Sequence, residues 1–254
     1  MTSPLGGAYY MKDFFLEGND LHVIFRPAFH PQCLPFFANY DHNQPFPGVI
    51  LDYSDNRNVA GHAQRQFINH YCVKAFLETQ TISLEIGSAG VQDAFCLSTD
   101  LIGNGERPVY GGGPMQGVHL KIDANDLSMF GTGSFGACVG NHILEHCRCN
   151  KLKGGESQEE KFYINCDAME LVDLLDNHWL RVIKPGGILA QVFPDETPCR
   201  RNGSSSLFHD QTHNHMLDPM KIRDILTHLK TPGEIIEFDT FNNNFSTNLA
   251  FRKF

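Results

Sequence analysis

The sequence predicts an α/β fold: a doubly wound, mostly parallel sheet, an antiparallel hairpin at its C-terminal end and a cap made by the N-terminal residues. Three observations predict it. Short apolar runs at Ile82–Ile86, Val118–Ile122, Ser134–Gly140 and Ile188–Phe193 alternate with helical or polar stretches, the pattern of parallel strands with helices on both faces. The clearest helix, Ala168–Arg181, puts Leu171, Leu175, Trp179 and Val182 on one face, and Lys184-Pro-Gly-Gly187 stops it before the next strand. The tail segments Ile235–Phe241 and Phe245–Phe251 flank Asn242-Asn-Asn244 as a hairpin would.

The remaining elements follow in order. Residues 1–55 are aromatic and proline-rich; four prolines from Pro27 to Pro45 bar a long helix and predict an irregular, packed arm. Asn58–Glu78 carries Val59, Phe67, Tyr71, Ala75 and Phe76 near helical spacing. Asn141–His146 opens a helix or turn, residues 151–163 and 195–215 are polar loops, and Met220–Leu229 is a second amphipathic helix. The expected division is an arm and lid helix over 1–78 and one compact unit over 79–254.

At 254 residues and 41% hydrophobic, the chain can fill one large core, which excludes wholesale disorder. Twenty basic against 29 acidic residues leave a charge of -9, the wrong sign for bulk nucleic-acid binding. No run of apolar residues is long enough to span a membrane, and the first residues lack the basic start and apolar core of a secretion signal. The eight cysteines form no CxxC pair, so they read as thiols in a reducing, cytoplasmic compartment.

Candidate chemistry gathers at strand ends. Leu84-Glu-Ile-Gly-Ser-Ala-Gly90 is a buried strand running into a small-residue turn, where backbone can approach a ligand closely; an ordinary strand-turn fits this segment equally well. Asp100 follows Glu85 by 15 residues, where an acid can accept from ribose hydroxyls. Asp123-Ala124 ends the next strand, and Asn141-His142 the one after. Ligands of doubly wound sheets sit outside the carboxyl ends of the strands, and each of these groups falls at such an end.

The segments LEIGSAG, KIDANDLSMFGTGSFGACVGNHILEHC and LLDNHWLRVIKPGGILAQVFPD, spanning residues 82–195, resemble class I S-adenosylmethionine-dependent methyltransferases of the type 11 group. That resemblance implies a Rossmann-like sheet and S-adenosylmethionine as cofactor. It implies that Glu85 faces the methionine ammonium, that Gly87, Ala89 and Gly90 form the turn beneath the cofactor, and that Asp100, with Leu101 beside it, holds the ribose. Asp123 would accept from the adenine amino group, with Ala124 supplying a backbone N–H and Asn141 and His142 beside the transferable methyl. The sequence departs from the family at Ala89 and Val91, which stand where glycines are usual, and the span to Asp100 is short for a first crossover helix.

A sulfonium methyl is already activated, so such an enzyme mainly aligns nucleophile, methyl and sulfur. A hydroxyl acceptor also gains from a base with a pKa near neutrality. His142 is the first candidate base, against a capping or core role. His209 and His213, in the polar loop with Asp210 and His215, are further catalytic candidates for a polar acceptor. His146 shares a face with His142 if the segment is helical, and a structural role fits it better. His209, Asp210, His213 and His215 also have the chemistry to coordinate a divalent ion, but their spacing matches no metal signature, and His146-Cys147-x-Cys149 lacks a second ligand pair for zinc, so no metal site is expected.

The expected function is methyl transfer from S-adenosylmethionine to a small polar acceptor, with O-methylation favoured over N-methylation. A non-catalytic partner or cofactor sensor is the alternative; a nicotinamide-dependent oxidoreductase fits less well, because LEIGSAG is a poor dinucleotide fingerprint. The expected partner is a small molecule, with no membrane; a homo-oligomer is compatible with the sequence.

Overall fold

The computed structural model describes residues 9–17, 20–27, 48–52, 62–89, 95–103, 105–107, 114–115, 118–147, 168–195, 213–215, 217–242 and 246–254. The N-terminal stretch holds β1 (Tyr9–Glu17), β2 (Asp20–Pro27) and β3 (Gly48–Asp52), a three-stranded sheet with β1/β2 antiparallel and β2/β3 parallel. This corrects the irregular arm expected there. Most of the prolines that argued against order fall between β2 and β3, while β1 and β2 are rich in strand-forming residues and separated by Gly18-Asn19, a hairpin dipeptide.

The helix expected from Asn58 is α1 (His62–Thr79), and it precedes a seven-stranded sheet. Its strands are β4 (Ser83–Ile86), β5 (Cys96–Asp100), β6 (Leu120–Lys121), β7 (Phe135–Asn141), β8 (Ile183–Pro194), β9 (Gly233–Asn242) and β10 (Ser246–Lys253). Their order is β6-β5-β4-β7-β8-β10-β9. The first five are parallel to one another, and β10 lies antiparallel between β8 and β9. The chain moves outward from β4 to β6, then returns to place β7 on the other flank of β4, so the order reverses between β4 and β7. That reversal is the switch point at which a doubly wound sheet opens a crevice for ligand. The sheet is Rossmann-like, with the antiparallel C-terminal pair expected from the tail.

Alternation along the strands sorts the core into two layers. Ala137, Val139, Ile188, Ala190, Val192 and Ala250 pack against Phe67, Ile68, Tyr71, Cys72 and Ala75 of α1. Their intervening neighbours Cys138, Leu189, Phe193, Leu249 and Phe251 join the other core, with α2 (Ala168–Leu174) and α3 (Pro219–Thr227). A strand with both faces buried needs this two-sided apolar pattern. Asp218 caps α3 by accepting from Lys221 N at 2.7 Å, and Pro219 sits at its first turn, where a missing N–H costs nothing.

Two elements differ from the sequence pattern. The helix expected to run regularly to Arg181 changes after Leu174 into a π turn over Leu175–Trp179, with Leu180 N donating to Leu175 O at 2.7 Å. At the end of the widened turn, fully buried Trp179 donates Nε1–H to Ala124 O, and just beyond it the Arg181 guanidinium donates to Leu127 O and Phe130 O. One helix end thus holds the whole loop after β6. Lys184-Pro-Gly-Gly187 is also not a terminator outside the strand. β8 begins at Ile183, and its register against β7 jumps from Phe135↔Ile183 to Ala137↔Ile188, so the four residues bulge out of the ladder. A Cβ on Gly187 would stand 2.4 Å from Gly136 O, which explains the glycine.

Candidate functional site

The switch point is lined by the segments that follow β4 and β7. Gly87 and Ala89 both adopt left-handed φ, at 64° and 50°, so the chain leaves β4 in a sharp turn. Only glycine adopts this conformation freely, and a Cβ on Gly87 would meet Ile143 Cδ1 at 2.6 Å. The turn is bound to the tip of β5: Ser88 N donates to Thr99 O, and Ala89 N to Asp100 Oδ2, both at 2.9 Å. The second Asp100 oxygen accepts from Ile102 N at 3.0 Å. Asp100 therefore sets the loop geometry with both carboxylate oxygens. Leu101 beside it is 62% exposed, an apolar surface at the crevice edge.

Only residues 87–95 connect the parallel strands β4 and β5, which is the abbreviated crossover expected from the sequence. At the tip of β6, Asp123 Oδ1 accepts from the backbone and side-chain amides of Asn125 at 2.9 and 2.8 Å, and Ala124 is held by Trp179.

Glu85 occupies a position unlike the one implied by the resemblance. Its carboxylate is 1% exposed; Oε1 accepts from Arg65 Nη1 at 2.6 Å and Oε2 from Ser98 Oγ at 3.0 Å. The charge is spent inside the protein, between α1 and β5. Asn141 differs: its Oδ1 is buried with no hydrogen-bond partner.

His142 follows with a left-handed φ of 56°, and its backbone N–H donates to Val192 O at 2.8 Å. The ring is held through Nε2. Nε2 lies 3.1 Å from Ser246 Oγ and 3.2 Å from Gln64 Nε2, while Nδ1 is 3.2 Å from Glu145 Oε1. Gln64 also donates to Ser246 Oγ at 2.6 Å. The side chain remains one-third exposed, so an oriented imidazole faces outward from the tip of β7.

His146 lies in a 3-10 turn (Leu144–His146) rather than a longer helix, and its ring meets that of His213 edge-on at 4.7 Å between centroids. His215 is buried. Gly90 and His209, with Asp210 and Cys149, lie outside the described residues. Burial pushes the Cys138 and Cys147 thiols far above their ordinary range, so neither offers a thiolate nucleophile near neutrality.

The structure thus joins Gly87, Ala89 and Asp100 through one turn, and sets Asn141 and His142 on the facing strand tip. It ties Asp123 and Ala124 into the loop after β6, next to Ile122, whose N–H donates to Asp100 O at 2.9 Å. Three participants had no sequence-level assignment: Gln64, Ser246 and Glu145. Gln64 and Ser246 come from α1 and β10, and nothing local to His142 points to them. Glu145 carried a signal, a carboxylate three residues after His142 and next to His146.

No family model matches the chain, and no curated protein matches it. Solved structures similar to it include a SAM-dependent methyltransferase from Archaeoglobus fulgidus, at 15% identity and TM-score 0.44, over 77% of this chain and 95% of that one. A SAM-dependent methyltransferase from Thermotoga maritima, described as a possible histamine N-methyltransferase, is 12% identical at TM-score 0.41, over 76% and 93% of the two chains. A third, from Methanosarcina mazei, is 16% identical at TM-score 0.40, over 71% and 96%. Among the described residues no helix is long and apolar enough to cross a membrane.

Proposed function

We propose that the chain is an S-adenosylmethionine-dependent methyltransferase acting on a small polar acceptor, with a hydroxyl favoured over an amine. The observation that carries this reading is the juxtaposition at the switch point: a strained Gly87–Ala89 turn fixed by Asp100 on one strand tip, and an oriented, outward-facing His142 on the next.

The residues present fit such a cofactor, with one change of role. Glu85 is committed to Arg65 and Ser98, whereas Asn141 Oδ1 is a buried acceptor in need of a donor. Asn141 therefore takes the ammonium, and Glu85 with Arg65 sets the shape of the β4 tip. The turn at Gly87, Ala89 and Gly90 lies under the cofactor, and Asp100 and Leu101 border the ribose. Asp123 and Ala124 border the adenine. When bound, S-adenosylmethionine supplies a methyl group on a sulfonium, already activated for displacement. His142 accepts the proton of the acceptor hydroxyl at one ring nitrogen, while its partners hold the ring. His209 and His213 contribute to the acceptor side. Residues 1–78 form an arm whose helix braces β4 through Arg65, and residues 79–254 form the catalytic unit.

Calorimetric titration with S-adenosylmethionine, followed by transfer of a labelled methyl to a panel of hydroxyl and amine acceptors, tests the reading. Binding together with turnover on a hydroxyl acceptor is expected. Absence of binding overturns it, and binding without turnover on any acceptor favours a cofactor sensor.

A further inference from the structure

Beside the proposed methyl-transfer site stands a group that this chemistry does not use. Glu145 is fully buried, and neither carboxylate oxygen receives a hydrogen bond. His142 Nδ1 approaches Oε1 to 3.2 Å and His146 Nε2 to 3.9 Å, but the first is misaligned and the second is too long for a hydrogen bond. A buried carboxylate without hydrogen bonds is costly unless a cation offsets it.

Ligand atoms of Glu145, His146 and His213 all lie within 4.8 Å of one another. This arrangement is built by the backbone. Asn214 N and His215 N donate to Glu145 O at 2.7 and 3.0 Å, and Asn214 Nδ2 donates to His146 O at 2.9 Å and Cys147 O at 3.2 Å. Four hydrogen bonds thus fasten the His213 segment to the 3-10 turn carrying Glu145 and His146, across sequence gaps of 67–70 residues. The edge-on contact of the two imidazoles follows from that fastening.

We infer that Glu145, His146 and His213 form a binding site for one divalent transition-metal ion, with Zn2+ as the cation of choice. Two imidazoles and one carboxylate are a borderline-hard donor set that suits Zn2+ and leaves a fourth position open. Ligand bonds of ~2.0–2.2 Å require the three atoms to close in by about an ångström, within reach of side-chain rotation. No metal was expected from the sequence because the donors come from two segments, Glu145-His146 and His213, joined only by the fold. On the methyl-transfer reading, the open position lies beside the acceptor and takes an oxygen ligand; that use rests on the reading, while metal binding does not.

The test uses the full chain, stripped with a chelator and titrated with Zn2+, then with Co2+ as a spectroscopic substitute, in the absence of S-adenosylmethionine. One equivalent is expected, with Co2+ absorption typical of nitrogen and oxygen ligands, and a rise in Tm on Zn2+ addition. Loss of an outer partner commonly weakens metal binding ~10–100-fold, so loss of a ligand in Glu145→Gln or His213→Ala is expected to cost more than ~100-fold. Metal-free Glu145→Gln is expected to melt higher than the metal-free wild type, because it removes a carboxylate buried without hydrogen bonds. No stoichiometric binding by wild type, unchanged binding in both variants, or a sulfur-to-cobalt charge-transfer band would each overturn the site. Failure of methyl transfer alone would not.

Discussion

Arg65 Nη1 donates to Glu85 Oε1 at 2.6 Å in a pair almost sealed from solvent, with side-chain exposures of 9% and 1%. The bond links the first turns of α1 to the tip of β4, so the helix reports directly on the strand that opens the crevice. A buried pair broken on one side leaves an uncompensated charge, which commonly costs about 3–5 kcal/mol. Arg65→Met is therefore expected to destabilise the protein by that order, read as the shift in denaturant midpoint at constant slope. Adding Glu85→Leu should restore most of the loss, since a well-packed apolar pair replaces a buried ion pair at little cost. A single variant as stable as wild type would show that Glu85 is not held as a charge.

Gly87 faces two independent penalties when substituted. Its left-handed φ disfavours any side chain, and a Cβ would meet Ile143 Cδ1 at 2.6 Å. Gly87→Ala is expected to lose about 1–3 kcal/mol of stability and to weaken S-adenosylmethionine binding. Pairing it with Ile143→Ala, and comparing with that single variant, removes the contacts to Cδ1 at 2.6 Å and Cγ1 at 2.8 Å but not the strain, so recovery should be partial. Full recovery in the double variant would mean that the backbone conformation contributes nothing.

These residues mark how far the sequence alone could be read. Strands with both faces buried, such as Phe135–Asn141, announce themselves as apolar runs, and the stop after Ala168–Arg181 announces the next strand. The position of Gly87 and Asn141 at strand tips follows from that pattern, whereas β5, Cys96-Leu-Ser-Thr-Asp100, carries too little apolar patterning to read as a strand, and the strand order depends on it. What escapes it depends on contacts between distant segments. The π turn at Leu175–Trp179 shows only once Trp179 is seen to reach Ala124. The partner of Glu85 lies 20 residues earlier and that of His142 lies 104 residues later, so no local spacing reveals either. The N-terminal strands were hidden by prolines that fall mostly between strands rather than inside them.

His70, on the same helix as Arg65, makes stability depend on pH. Burial holds its pKa below the ordinary imidazole value and Lys74 adds to the effect, while Glu237 and Glu78 pull the other way without cancelling it. Above about pH 6.5 the ring is neutral in both states and stability is complete. As pH falls below that value the unfolded chain takes up the proton first. Stability then declines until pH passes the folded-state pKa, where it levels. Unfolding free energies for wild type and His70→Gln, measured from about pH 8 down to about pH 5, should therefore diverge, with wild type losing more. A constant difference across the range would acquit His70.

His142 carries the sharpest functional expectation. Its ring is oriented by Ser246 and Gln64 at Nε2, and it contributes none of the loop geometry that Asp100 and Gly87 provide. General-base catalysis is commonly worth about 10²–10⁴ in rate. His142→Ala should lose turnover by that order while binding S-adenosylmethionine within about twofold of wild type, since rate and affinity then depend on different residues. Ser246→Ala and Gln64→Leu, which only orient the ring, should lower turnover less and leave cofactor affinity unchanged. Equal losses of affinity and rate in His142→Ala would instead place the ring in cofactor binding, and an undiminished rate would remove it from the chemistry.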